Sequence, residues 1–188
     1  MIDYPVIIHD VLPKDYYFLL NDQLVSNWNL NNSSYDTGRL SWCIDYHLTS
    51  DLPFIACASF IKLKIQKILK RDLKLCKIHV NGQTSNQTSE FHKDFIDENV
   101  WTFILFCKYQ WDISWGGEFV CFDEKNNQYK YCPFVPNTGC LIPSNWDHYG
   151  SCPNSSTDKL SVTTAFSYCD PLIYDKLSLK HQHLKMFY

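Results

Sequence analysis

Several features are missing from this sequence, and each absence narrows the possibilities. Nine cysteines are present, at Cys43, Cys57, Cys76, Cys107, Cys121, Cys132, Cys140, Cys152 and Cys169. That is an odd number without any C-x-x-C pair, so a disulfide framework is not indicated and buried free thiols are expected. No stretch approaches the roughly 20 apolar residues that cross a bilayer. The densest run, Val100 to Cys107, has the length of a strand. The start, Met1-Ile2-Asp3-Tyr4-Pro5, lacks the basic and apolar segments of a secretory signal, which predicts a cytoplasmic protein with reduced thiols and no membrane partner. Positive charge is not in excess either: 17 Lys plus Arg against 20 Asp plus Glu leaves a formal charge of −3, with no global attraction for polyanions. Neither an internal repeat nor a low-complexity linker occurs, so residues 1–188 are read as one domain.

What is present suits a packed core, with 45% apolar and 16% aromatic residues over 188 positions. The N-terminal third, to about residue 74, reads as helical support. One helix is expected from Pro13 to about Trp28, with Tyr17, Leu20 and Leu24 on one face. A second is expected from Phe54 to Leu73, where Ile61, Ile65, Ile68 and Leu69 recur at helical spacing. Lys62, Lys64, Lys67, Lys70, Arg71, Lys74 and Lys77 form a basic stretch, read as a solvated helix face. From about 75 to 170, short β-branched and aromatic runs alternate with turn residues. Strands are expected at Lys77–Asn81, Val100–Tyr109, Glu118–Phe122, Gln128–Tyr131, Gly139–Ile142 and Lys159–Tyr168. Turns are expected at Asn126-Asn127 and at Pro136 to Gly139, and a short helix in the tail after Pro171. Regularly spaced strands of this kind suggest a sandwich or an open barrel.

The chemistry concentrates in the strand-rich region. His92 and Asp94 are two residues apart, so on a strand both face one side and could reach one cation. One His-x-Asp is expected by chance roughly 0.6 times in a chain of this composition, so the pair needs support. His148, 56 residues later, could complete two imidazoles and one carboxylate, the set that leaves open positions on Fe(II). Eleven residues further on, Lys159 opens the last expected strand, sharing a face with Ser161 and Thr163. A lysine directed into a β core needs an anion beside it.

The order His92-x-Asp94, Trp115-Gly116-Gly117-Glu118-Phe119, His148, Lys159 resembles the 2-oxoglutarate and Fe(II)-dependent dioxygenases, most closely their prolyl 4-hydroxylase-like branch. The resemblance covers roughly Leu75 to Asp170. It implies a mainly β fold, a double-stranded β-helix (jelly-roll or cupin-like) with the N-terminal helices packed on one sheet. It also implies iron held by His92, Asp94 and His148. Lys159 would pair with the distal carboxylate of 2-oxoglutarate, assisted by Ser161 or Thr163. The implied activity is hydroxylation of a C–H bond, with O2 consumed, succinate and CO2 released, and ascorbate a candidate reductant. A prolyl residue of a peptide or protein is the first substrate expected, a small molecule the second.

The chain departs from the family at three points. Gly82 and Gln83 stand where a tyrosine often precedes the first ligand. Phe106-Cys107-Lys108 replaces a tyrosine-leucine-asparagine stretch, and Ala165 replaces a tryptophan. Nucleic-acid dealkylases of the superfamily typically carry two arginines after the distal histidine, and this chain has none after Arg71, which argues against a nucleic-acid substrate. His79, His181 and His183 compete with His148 as third ligand, while His9 and His47 read as structural or surface residues. Cys132, Cys140, His148 and Cys152 match no common zinc spacing. A binding module that keeps the β fold without turnover is the alternative from another class.

Overall fold

The protein is described by a computed structural model, which defines residues 2–24, 28–32, 40–45 and 52–177. Its core is two facing antiparallel sheets. The larger contains β1 (Val6–Ile8), β2 (Asn29–Asn32), β3 (Leu40–Asp45), β4 (Lys74–Gln83), β5 (Val100–Phe106), β8 (Gly139–Pro143) and β10 (Ser161–Cys169), in the order β1-β8-β5-β10-β4-β3-β2. The smaller is β7 (Gln128–Cys132), β6 (Phe119–Asp123) and β9 (His148–Gly150), in the order β7-β6-β9. An isolated bridge from His92 to His148 extends it. From β4 onward the chain passes back and forth between the sheets, which is the winding of a double-stranded β-helix.

The alternation of side chains along each strand creates two cores. Between the sheets, Ile104, Phe106, Cys140 and Ile142 of the large sheet meet Phe119, Cys121 and Cys132 of the small one. On the other side of the large sheet, Phe103, Leu105, Val80, Phe166 and Tyr168 pack against two helices. These are α1 (Lys14–Gln23), which buries Tyr17 and Leu20, and α2 (Leu52–Leu69), which buries Phe54, Cys57, Ile61 and Ile65. The helices therefore cover one face of one sheet, as the resemblance implied. Burying each such apolar side chain contributes about 1.5–3 kcal/mol. The Tyr168 hydroxyl, buried in this layer, donates to the Ala58 carbonyl at 2.7 Å, tying β10 to α2.

The N-terminal third is less helical than its sequence suggests, because β1, β2 and β3 extend the large sheet at both edges. Both helices are also shorter at their C-terminal ends than expected: α1 ends at Gln23, and α2 ends at Leu69, before Lys70 in the left-handed region at φ +54°. The basic stretch consequently divides. Lys74 and Lys77 lie on β4, not on a helix. Arg71 stacks on Trp101, and Lys74 lies over Tyr174. Both expected turns are present, with Asn127 and Asn137 at positive φ. A short 3-10 turn, Pro171–Ile173, follows β10. All nine cysteines are free, seven of them buried. Among the described residues no helix is long and apolar enough to cross a membrane.

Candidate metal centre

The first two proposed ligands come from an irregular segment between β4 and β5, held in place by the small sheet. His92 N–H donates to the His148 carbonyl and His148 N–H to the His92 carbonyl, both at 3.0 Å. This reciprocal bridge sets the two rings 4.5 Å apart between centroids. One ligand atom from each of His92, Asp94 and His148 lies within 4.8 Å of the others. His92 Nε2 is 3.9 Å from one Asp94 oxygen, and His148 Nε2 is 3.7 Å from the other. Two imidazole nitrogens and a carboxylate converging in this way suit a borderline divalent cation bound on one face.

Each ligand is oriented by a second contact. His92 Nδ1–H donates to the Glu90 carbonyl at 2.8 Å, and His148 Nδ1–H to the Trp146 carbonyl at 2.9 Å. Both rings therefore carry a proton on Nδ1 and turn Nε2 toward Asp94. Thr102 on β5 donates its hydroxyl to Asp94 Oδ2 at 2.9 Å, and Ser144 holds that hydroxyl at 2.7 Å. Burial pushes the His148 pKa below the ordinary histidine value, with the Asp94 charge opposing it in part. For Asp94, burial pulls the pKa upward. The positive charges of His148, Lys77 and His92 and the Thr102 hydrogen bond outweigh burial and leave it lowered. The site is open on one side: the His92 side chain is 51% exposed, against 5% for His148.

The inner face of the large sheet leads away from this cluster. Thr163 pairs with Phe106 and Asn81, Ala165 with Ile104 and His79, and Ser167 with Thr102 and Lys77. Along β10 and β4 the partly exposed residues alternate with buried ones. Thr163, Ala165, Lys77, His79 and Asn81 face the interior, while Val80, Val162 and Phe166 pack beneath the helices. His79 thus lines the interior without joining the cluster. Lys77, expected on a solvated helix, stands on this inner face, where its charge acts on Asp94.

Ser161 is buried, its hydroxyl donating to the Gln83 carbonyl at 3.2 Å, and Thr163 faces the interior. Lys159 departs from expectation. Strand β10 starts at Ser161, so the period-two rule does not reach residue 159. The Lys159 amide is instead held by the Thr157 hydroxyl at 3.1 Å. Its side chain is 63% exposed, with the ammonium 3.9 Å from Asp158. It is not a lysine buried in the β core.

Sequence reasoning passed over Lys108. This lysine follows β5 and is half-buried, with a pKa lowered first by burial and further by the neighbouring Lys159 charge. Both lysines stand at the end of the strands remote from Asp94, where their charges oppose one another. The sequence offers little signal for it, since Lys108 lies two residues beyond the end of β5 at Phe106. Of the other competitors, His181 and His183 lie outside the described residues, as does His47, while His9, read as structural, contacts Thr138.

No protein-family model and no curated protein matches the sequence. Solved structures do match the fold. A 2OG-Fe(II) oxygenase family oxidoreductase from Burkholderia pseudomallei superposes with a TM-score of 0.70 at 8% identity, covering 87% of this chain and 84% of that one. The fold is that of the 2-oxoglutarate and iron(II)-dependent oxygenases. A Pseudomonas putida prolyl-4-hydroxylase superposes at 0.66 with 13% identity, over 88% of this chain and 91% of its own. HygX from Streptomyces hygroscopicus, solved with nickel and 2-oxoglutarate bound, gives 0.65 at 10% identity over 88% and 82%. In this oxygenase fold, His92, Asp94 and His148 stand together between the two sheets, at the mouth of the β-helix.

Proposed function

We propose that the chain is an Fe(II)- and 2-oxoglutarate-dependent oxygenase that hydroxylates a C–H bond and releases succinate and CO2. The observation that carries this is the convergence of one ligand atom each from His92, Asp94 and His148 within 4.8 Å, in a fold shared with oxygenases. The donor set fits iron, since two imidazoles and one carboxylate from His92, Asp94 and His148 would hold it from one side and leave it open to further ligands.

When bound, the iron and 2-oxoglutarate supply the oxidising power that a side chain cannot. The remaining work belongs to the chain. The Glu90 and Trp146 carbonyls fix a proton on Nδ1 of both imidazoles, which makes Nε2 the atom that would meet a metal. Thr102 fixes the rotamer of Asp94, and Ile104, Phe106 and Phe119 keep water out of the interior. Lys159, with Thr163 and Ser161, is the proposed partner of the cosubstrate's distal carboxylate, and Lys108 joins it. Two lysines that crowd one another gain from an anion placed between them. Fixed, dry surroundings confine the oxidation to the bound substrate.

The substrate is a peptide or protein residue, prolyl by the first reading, or a small molecule. Cytoplasmic location and ascorbate as reductant belong to the same proposal. A binding module without turnover has less support, because nothing in binding alone calls for two imidazoles and a carboxylate converging with their tautomers fixed. The test is succinate formation from 2-oxoglutarate with Fe(II) supplied, alongside a mass-spectrometric screen of proline-containing peptides and metabolites for one added oxygen. Iron-dependent succinate that His148→Ala abolishes supports the proposal. Turnover unchanged in that variant overturns it.

A further inference from the structure

The outer face of the small sheet carries aromatic residues that neither the core nor the metal centre uses. Phe119, Cys121 and Cys132 point inward, so Val120, Phe122, Tyr129, Tyr131 and Tyr149 point out. Register places Val120 between Tyr131 and Tyr149, and Phe122 opposite Tyr129. Phe91, preceding His92, lies against both Tyr149 and Tyr129, with ring centroids 4.6 and 5.7 Å away, and Phe122 is 5.1 Å from Tyr129. The rings form a contiguous surface, and Phe91, Tyr129 and Tyr131 are 45%, 54% and 59% exposed. Exposed apolar surface this continuous is characteristic of a contact site.

Two clefts flank the rings. One of about 320 Å³ is lined by Phe91, Phe122, Tyr129 and Asp147. The other, of about 290 Å³, includes Tyr131, Pro133, Ile113 and Glu118. The acids differ in their commitments. Asp147 and Glu124 both hold Lys93, at 3.4 and 3.3 Å. Glu118 makes no ion pair among the described residues. Its charge reaches the outer face, adding to burial and the neighbouring phenols in raising the Tyr149 pKa. An unpaired carboxylate beside an exposed phenol ring accommodates a cationic side chain, which gains Coulombic attraction from one and cation–π attraction from the other.

We infer that this face binds an extended, cationic polypeptide segment, with a lysine or arginine seated between Glu118 and Tyr131 and apolar side chains lying on Tyr129 and Phe91. Tyr129 and Tyr131 are alternate residues of one strand, about 7 Å apart. Alternate side chains of a peptide in extended β conformation share one face at the same spacing, so a basic side chain beside Tyr131 sets an apolar one on Tyr129. The site lies outside the barrel, beside the mouth that Phe91 and Asp147 border through their neighbours His92 and His148. It exists whether or not the metal centre turns over.

The test is fluorescence anisotropy of a labelled peptide repeating Lys-Ser-Val-Ser with the full chain, against a Glu-Ser-Val-Ser peptide of equal length and a single-stranded oligonucleotide. Saturable binding of the lysine-containing peptide alone is expected. Tyr131→Ala and Glu118→Gln should each weaken it roughly tenfold, the loss typical of one contact residue at the centre of an interface. Tyr131→Phe should retain it, separating ring stacking from loss of fold, and Fe(II) binding should be unchanged in all three variants. Equal binding of both peptides, preference for the oligonucleotide, or binding insensitive to Tyr131→Ala overturns the inference. So does concentration-dependent self-association of the free chain that Tyr131→Ala abolishes, since a second copy would then occupy the face.

Discussion

The two ends of the barrel's inner face are built differently. At the end that holds Asp94, each candidate ligand has at least one further hydrogen bond, and two backbone bonds lock His92 to His148. At the other end, Lys159 stands in a loop with its side chain 63% exposed, and the charge of Lys108 is opposed by that of Lys159. One end is organised by the chain alone, whereas the other gathers charge of one sign. The difference indicates that a metal meets a preformed set of donors, while an anionic ligand completes its own site on arrival. Binding order should follow from this, with metal affinity independent of the lysines and anion affinity dependent on them.

The sharpest way to break that comparison is to remove a ligand. His148→Ala should lower Fe(II) affinity further than the loss of any supporting contact does, measured by anaerobic calorimetry, while thermal unfolding shows the fold retained. An unchanged affinity would mean that the preformed end is no metal site. Next in size, Thr102→Val takes the hydroxyl from Asp94 at nearly constant volume. Loss of such an orienting contact typically costs about 10–100-fold in metal affinity. A Thr102→Ser variant, which keeps the donor, should recover most of it.

The other end is probed by Lys159→Ala and Lys108→Ala. Each should weaken 2-oxoglutarate binding by roughly tenfold, from about 1.5 kcal/mol for a hydrogen bond to a charged group. Each should leave Fe(II) affinity unchanged. Equal loss of metal affinity in these variants would dissolve the distinction between the two ends.

The smallest effect concerns pH. His148 and Asp94 both have pKa values lowered by folding, so both bind protons more readily in the unfolded chain. Their contribution to stability is present above their unfolded values, about 6.5 and 3.9, and is lost as pH falls through the folded ones. Metal-free protein should therefore lose denaturant stability as pH drops below about 6.5, and the His148→Ala variant should lose less over the same interval.

The same two ends explain what the sequence reveals. The candidate ligands are legible from their residue types and order, but His92 and Asp94 lie on an irregular segment, so the bridge from His92 to His148 sets their facing and not a strand's alternation. Lys159 is misread because its strand starts two residues later than composition suggests, and an alternation cannot be extended beyond the strand that generates it. Lys108 escapes notice because β5 is buried along its whole length, which hides the face that Thr102, Ile104 and Phe106 share. Strand β9 is three residues long, and Asn29–Asn32 has the composition of a loop, so neither announces itself. Their pairing partners in space, β6 and β3, supply what local propensity lacks.

The most direct measurement is the visible charge-transfer absorption of anaerobic protein titrated with Fe(II) and 2-oxoglutarate together. A band that needs both additions, persists but requires more 2-oxoglutarate in Lys159→Ala, and disappears in His148→Ala is the predicted result. A band retained in His148→Ala, or none in the unaltered chain, would contradict the account.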